Sequence, residues 1–373
     1  MDTPVNRLRN HLREHALHYY PELGAEPVHV QWLGSRDGDL SSVHRFCLRS
    51  GGVERRVVVK LAPSRARGDG RRAGRPRVAP LLDPCTKNAS EHAALRAMQE
   101  HFDALGDFRF GSVRILDFVS ALRGIVMEET RGRSLTRLLV GANRLRRPLG
   151  SRRLEEVFGH TGAWLRAYHE LPPLGHTRSR STTREEFVAC VRRLAGFLAE
   201  SHRFGPLQAS AVSRTESWAS KWLPATLPLG TSHGDLAPRN VIVDCAGRVT
   251  VLDTRAAWRA PIYEDIGYFL TAAKTPRAQA ASLGLALGRT LIGRLERAFL
   301  RGYFAGEPVP IECIRLFELQ SLLDKWASNT ASRERSVGLG GLAGAYRHWS
   351  SDRLFQRSIG ALLDQLAPQR AVA

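Results

Sequence analysis

The chain has 373 residues, of which 43% are hydrophobic and 24% charged, enough for one large core or two lobes sharing a cleft and too apolar for wholesale disorder. Its formal net charge of +19 favours anionic partners such as nucleotide phosphates, phospholipid surfaces, acidic glycans or nucleic acid, although an arginine-rich composition can raise charge with no partner at all. The five cysteines (Cys47, Cys85, Cys190, Cys245, Cys313) are scattered without CxxC spacing, which argues against a disulfide framework or zinc site and fits a reducing cytoplasm.

The first 20 residues read as a short basic helix with no apolar signal core, and no uncharged apolar run approaches the ~18 residues of a membrane span. Strand patterns follow at 28–34, 41–50 and 53–62, the last two joined by Gly51-Gly52, a hairpin signal. Residues 64–78 hold six arginines against one aspartate; with their glycines and proline they read as a flexible basic insertion, spanning about 63–88. ASEHAALRAMQEHF (89–102) predicts a helix capped by Ser90, with Ala94, Leu95, Met98 and Phe102 on one face. Strands are expected at 112–119 and 123–130. Helices are expected at 151–170, 184–203, 208–222, 264–274, 280–304, 311–330 and 351–366. The pattern predicts an α+β protein: a small β-rich N-terminal lobe over 1–130 and a larger, mainly helical C-terminal lobe over 131–373.

One strand-like island, 229–253, interrupts the helical part. Within SHGDLAPRNVIVDCAGRVTVLD (232–253), Asp235 and Asn240 lie five apart in a segment too polar and proline-bound for a helix. NVIVD and RVTVLD flank an Ala246-Gly247 turn, so a hairpin brings its ends together and sets Asp253 beside Asn240 and Asp235. Two carboxylates and an amide oxygen suit Mg2+, a hard cation that readily shares its ligands with phosphates.

These residues resemble the aminoglycoside phosphotransferase and choline kinase group, distant relatives of protein kinases. HGDLAPRN (233–240) is similar to the protein-kinase HRDLxxxxN loop, and Asp253 follows Asp235 by 18 residues, as the metal-binding aspartate does. The resemblance spans roughly 28–275 and implies a protein-kinase-like fold, ATP or GTP as co-substrate, and Mg2+. It implies that Asp235 orients the acceptor hydroxyl and takes its proton, that Asn240 holds Mg2+, and that Asp253 bridges metal to phosphates. His233 is expected to support the loop. Asp265, in YEDIGYFL, resembles the aspartate that ties down the catalytic loop, though an acid at a helix start also complements the macrodipole. The family often places a bulky aromatic after the metal aspartate; Thr254 stands there, which puts the packing beside it in question.

The N-terminal half supplies matching parts. Lys60 ends VVVK and is similar to the family's strand lysine, with Glu91 as its expected acidic partner and Glu100 as fallback. GSRDGDLSS (34–42) is the expected phosphate cover: Gly34 and Gly38 let the backbone approach, and Ser41 and Ser42 offer donors. IVMEETRGRSL (125–135) resembles the hinge, with backbone groups of Glu128 and Thr130 meeting the adenine edge behind Met127.

Acceptor choice is read from charge alone. Residues 131–153 carry eight arginines and no acidic residue, which fits an anionic, sugar-like or lipid-linked hydroxyl acceptor, with possible contact at the inner face of an anionic membrane, better than a polycationic drug. An aminoglycoside-type antibiotic kinase is the alternative acceptor reading. A non-catalytic pseudokinase or an anionic-surface binding protein is the alternative of a different class. Nucleic acid is disfavoured, because no zinc-finger spacing, RNP pattern or aromatic-interleaved basic stripe is present.

Overall fold

A computed structural model describes residues 3–24, 26–38, 41–62, 76–80, 84–141, 151–180, 183–202, 205–254, 256–282, 284–334 and 342–367. They divide into two compact units, the described parts of Met1–Arg71, Leu81–Gly106 and Ser112–Arg131, and those of Arg72–Pro80, Asp107–Gly111 and Gly132–Ala373.

The first unit opens with α1 (Pro4–Tyr19). Pro4 at its first turn needs no hydrogen-bond partner, and the Thr3 hydroxyl accepts the Asn6 N–H at 3.3 Å. Leu8, Leu12, Ala16 and Tyr19 form one buried stripe at helical spacing. That stripe packs with Val30, Phe46, Leu48, Val57, Val59 and Val126 of an antiparallel sheet. The sheet holds β1 (His29–Asp37), β2 (Ser42–Ser50), β3 (Val53–Leu61), β5 (Ile115–Val119) and β6 (Gly124–Glu128) in the order β1-β2-β3-β6-β5. Gly51 and Gly52, with φ of 53° and 82°, form the β2–β3 turn; β4 (Phe110–Gly111) belongs to the second unit.

The helix expected at 89–102 is longer, α2 (Pro84–Leu105). Pro84 stands at its beginning, so Ser90 lies within the helix and caps nothing. The 84–88 portion of the expected flexible insertion is therefore helical; Lys87 and Asn88 are buried, and Asn88 donates to the carbonyls of Lys60 at 3.2 Å and Arg123 at 2.7 Å. Residues 63–75 of that insertion lie outside the described residues. The expected apolar face, Ala94, Leu95, Met98 and Phe102, is buried.

The second unit begins with β7 (Arg133–Ser134), α3 (Leu135–Gly141), α4 (Ser151–His169), β8 (Arg178–Ser179), α5 (Arg184–His202) and α6 (Gly205–Trp222). Next come β9 (Leu229–Ser232), β10 (Val241–Val243), β11 (Val249–Val251) and β12 (Trp258–Pro261). It closes with α7 (Ile262–Lys274), α8 (Arg277–Ala281), α9 (Arg289–Phe304), α10 (Ile311–Glu334) and α11 (Leu342–Leu366). Two small sheets, β4-β11-β10-β7 and β8-β12-β9, sit among these helices.

The continuous helix expected at 280–304 is instead α8 and α9 with a non-helical segment between. Gly284 turns there with φ of 96°, and the Gln279 amide replaces the helical bonds. Its Nε2 donates to the Gly284 carbonyl at 2.7 Å and its Oε1 accepts the Leu287 N–H at 2.7 Å. Among the described residues no helix is long and apolar enough to cross a membrane.

Candidate active site

The segment between β9 and β11 carries the site. Gly234 has φ of 75°, a left-handed turn that costs glycine little. The chain doubles back through Asn240 N–H to the Ala237 carbonyl at 2.8 Å, and Thr136 N–H to the Pro238 carbonyl at 3.0 Å pins the loop to the start of α3. Leu236 and Ala237 are fully buried and act as anchors.

The β10–β11 hairpin pairs Val241 with Val251 and Val243 with Val249. Its turn is closed by Asp244, whose Oδ1 accepts the N–H groups of Ala246 and Arg248, each at 2.9 Å. One step beyond the ladder, Leu252 N–H donates to the Asn240 carbonyl at 2.8 Å, so Asn240 and the residue preceding Asp253 are hydrogen-bonded neighbours. Asp253 itself has φ of 64°, a conformation that aspartate and asparagine tolerate better than most residues.

Asp235 is held from three sides. Its Oδ1 accepts the Tyr268 hydroxyl of α7 at 2.8 Å and pairs with the Arg239 guanidinium. Its Oδ2 lies 3.3 Å from Asn240 Nδ2, which also donates to the Asp235 carbonyl at 2.9 Å. With its amide nitrogen so occupied, Asn240 has its side-chain oxygen to offer a cation. Burial and the Asp235 charge push the Tyr268 phenol upward, which keeps it a donor.

Beneath the loop, Asp265 is 2% exposed in the first turn of α7. Its two oxygens accept the backbone N–H groups of His233 at 2.7 Å and Gly234 at 2.8 Å, and His169 Nε2 stands 3.3 Å away. Burial alone would raise its carboxyl, but the His169 hydrogen bond and the Gly234 N–H outweigh it and hold it below the ordinary carboxylate value. His169 is oriented in turn by the Tyr303 hydroxyl, 2.7 Å from Nδ1.

His233 is buried against Trp164 and Tyr168 of α4, with ring centroids 6.1 and 5.7 Å away. Its Nδ1 accepts the Asp235 N–H at 3.3 Å. Burial lowers its pKa; the charges of Asp265, Asp235 and Asp253 oppose that without reversing it, so the ring is neutral. Thr254 is fully buried and its hydroxyl bonds to that of Tyr168. The residue after Asp253 is thus packed against α4.

In the first unit, Lys60 on β3 and Glu91 on α2 are 5% and 2% exposed, and Nζ donates to Oε1 at 2.5 Å. Glu100, on the same helix, is exposed. Ser42 faces Leu61 and Val43 faces Lys60 across the β2–β3 ladder, which places Ser41 and Ser42 one strand away from the lysine. Gly38 N–H donates to the Ser41 carbonyl at 2.9 Å, and a Cβ on Gly38 would stand 3.2 Å from that oxygen. The Glu128 N–H donates to the Arg114 carbonyl at 2.9 Å, which leaves its carbonyl as the backbone group for a base edge. Thr130 follows β6, outside any ladder.

Arg239, Tyr268, His169 and Tyr168 stand around the loop without having been singled out in the sequence. Arg239 had a local signal, four residues after Asp235 inside HGDLAPRN. The others come from helices 30 or more positions away; Tyr268 stands in YEDIGYFL, three residues after Asp265, and the two α4 residues carry no motif.

Among the described residues no group of three or more His, Cys, Asp or Glu could hold a metal by itself. Asp253 with the Asn240 amide oxygen would make a sparse, all-oxygen set instead. That fits Mg2+, which usually takes one or two protein ligands and completes its shell with water and substrate phosphates.

The fold is that of the protein-kinase-like phosphotransferases. The chain belongs to the phosphotransferase enzyme family, whose pattern it matches over residues 44–307. Among solved structures it is similar to a Ralstonia eutropha protein provisionally named an aminoglycoside phosphotransferase, at 16% identity and a TM-score of 0.60, covering 98% of this chain and 99% of that one. It is also similar to an ethanolamine kinase of Plasmodium vivax, at 12% identity and TM-score 0.50, with 96% and 91% covered. A spectinomycin phosphotransferase bound to ADP and spectinomycin matches at 12% identity and TM-score 0.50, with 95% and 98% covered. Comparison with curated protein sequences finds no match.

Proposed function

We propose that the chain transfers the terminal phosphoryl group of ATP or GTP to a hydroxyl of a small, sugar-like acceptor, with Asp235 as the base. The observation that carries this reading is the Asp235 carboxylate held beside Asn240, on a loop whose backbone is tied to Asp265, with the residue before Asp253 hydrogen-bonded to Asn240. Asp235 Oδ2 makes only the 3.3 Å contact with Asn240 among the described residues, so it is the oxygen suited to meet an acceptor hydroxyl. As the acceptor oxygen bonds to the γ-phosphorus, its proton passes to Asp235, and the bond from phosphorus to the β–γ bridging oxygen breaks to release the nucleoside diphosphate.

Asn240 and Asp253 would hold Mg2+, which when bound offsets negative charge on the phosphate oxygens. Lys60, steadied by Glu91, would pair with the α/β-phosphates; Ser41 and Ser42 would donate to phosphate oxygens, and the Glu128 carbonyl and Thr130 backbone would border the base. Asp265 and His233 would position the loop without touching substrate. The formal charge of +19 supports an anionic acceptor over a polycationic drug.

The test is mass spectrometry for an added phosphate after incubation with Mg·ATP or Mg·GTP and fractionated metabolites, glycans and lipids. Asp235→Asn is expected to lower transfer by about 10²–10⁴-fold while nucleotide affinity stays near the parent's. Parent-level transfer by that variant would remove Asp235 from the mechanism.

A further inference from the structure

Lys325 lies on α10 with its ammonium 4.0 Å from the centroid of the Tyr268 ring. The hydroxyl of that same tyrosine donates to Asp235 Oδ1. One aromatic side chain therefore joins a lysine to the proposed base, on the carboxylate oxygen opposite the one nearest Asn240.

Several partly buried cations of this unit are matched to carboxylates. Arg180 pairs with Glu264, and Lys274 and Arg315 each pair with Glu296 and Glu318. Arg239 pairs with Asp235 itself. Among the described residues Lys325 has neither a carboxylate oxygen at ion-pair distance nor a hydrogen bond from its ammonium; a ring face is its contact. Burial draws its pKa down to about 8, the Arg239 charge acting in the same direction and Asp235 and Asp324 opposing. A partly buried cation without a counter-ion is costly for a structural role, and it is the arrangement expected where a ligand supplies the anion.

We propose that Lys325 is a specificity-determining residue whose ammonium receives an anionic group of the acceptor, a carboxylate or a phosphate, so that the acceptor's hydroxyl falls at Asp235. This rests on the kinase reading of Asp235 and narrows its acceptor to hydroxyl compounds that carry negative charge. Tyr268 would be the spacer, holding the lysine on its face and the base on its hydroxyl. The charged and titratable groups around the ammonium are Tyr268 of α7, Asp235 and Arg239 of the catalytic loop, and Asp324 of α10.

The experiment measures binding to the Mg·ADP-loaded protein of probes that differ in charge: D-glucuronate and D-glucose 6-phosphate against D-glucose and methyl α-D-glucoside. The two anionic probes separate a carboxylate site from a phosphate site. At pH 7 at least one anionic probe is expected to bind tenfold or more tighter than the neutral sugars. Lys325→Met should erase that preference and Lys325→Arg should restore it, with ADP affinity reporting that each variant is folded.

In the parent the anionic affinity should fall as pH rises from 7 to 9.5, because the ammonium loses its proton there; the arginine variant should stay flat. That pH profile needs no variant other than the arginine one and survives a methionine variant that does not fold. Equal binding of charged and neutral probes, binding of none, or a preference retained in Lys325→Met overturns the proposal. Such an outcome alongside Asp235-dependent phosphoryl transfer sinks this inference alone, whereas transfer indifferent to Asp235→Asn sinks the kinase reading.

Discussion

The Lys60–Glu91 pair separates function from stability at single residues. Both groups are almost fully buried, and removing one partner leaves the other charged and unmatched. Glu91→Gln is expected to cost about 3–5 kcal/mol, read as a lower denaturation midpoint with an unchanged slope. Replacing both, Lys60→Met with Glu91→Leu, should recover most of that stability, since a buried ion pair is worth little more than a well-packed apolar pair. The double variant should nonetheless bind Mg·ATP at least tenfold more weakly by calorimetry. Recovery of stability together with parent affinity would show that the pair has no part in nucleotide binding. Asp265 poses the complementary case: Asp265→Asn keeps one acceptor oxygen but puts an NH2 group against backbone N–H donors. Its expected cost is about 2–4 kcal/mol, together with a drop in transfer rate as the loop carrying Asp235 loosens.

At the level of elements, α4 and α9 approach so closely that their contact is lined by glycine. A Cβ on Gly162 would collide with the Phe299 carbonyl oxygen, and one on Gly302 with that of Gly159. Since α4 carries Trp164, Tyr168 and His169 to the loop of Asp235, the glycines set the depth of that support. Gly302→Ala is expected to cost about 1–3 kcal/mol or more by overpacking, measured by chemical denaturation.

The same helix also makes the loop acid-sensitive. His233 is buried neutral with a folded pKa below its unfolded value of about 6.5. Its contribution is complete above that value and is lost as pH falls through the folded pKa, because the unfolded chain binds the proton more readily. Asp265 adds a second loss below about pH 4, its folded pKa also being depressed. Thermal unfolding from pH 7 to 5 should therefore fall more steeply for the parent than for His233→Asn, and equal slopes would contradict the assignment.

Across the whole molecule, the proposed chemistry predicts linkage between nucleotide and folding. Mg·ADP at about 100 times its dissociation constant should stabilise the protein by about 2.7 kcal/mol, and Asp253→Ala should remove the Mg2+-dependent part of that gain. The charge of +19 predicts a separate, weaker effect: sedimentation with anionic vesicles at low salt, absence from neutral vesicles, and release once the screening length falls to a few ångströms at about 1 M salt. Failure to bind either vesicle at low salt would leave the basic surface without a membrane role.

Features written in short stretches of chain were legible before any coordinates: the Gly51-Gly52 hairpin, the helix stripe of Ala94, Leu95, Met98 and Phe102, and HGDLAPRN ahead of a β-turn-β. Turn chemistry and periodicity act over a few residues, so neighbours in sequence suffice to express them. Helix ends were less readable: Pro84 starts α2 before Ser90, and Gln279 breaks the 280–304 pattern through side-chain bonds that no periodicity encodes. The choice of Glu91 over Glu100 depended on which turn of α2 faces β3. The surroundings of Asp235 depended on helices far along the chain, which bring Tyr268, His169 and Lys325 to one loop. Burial and charge pairing are properties of that convergence, and only the folded chain holds it.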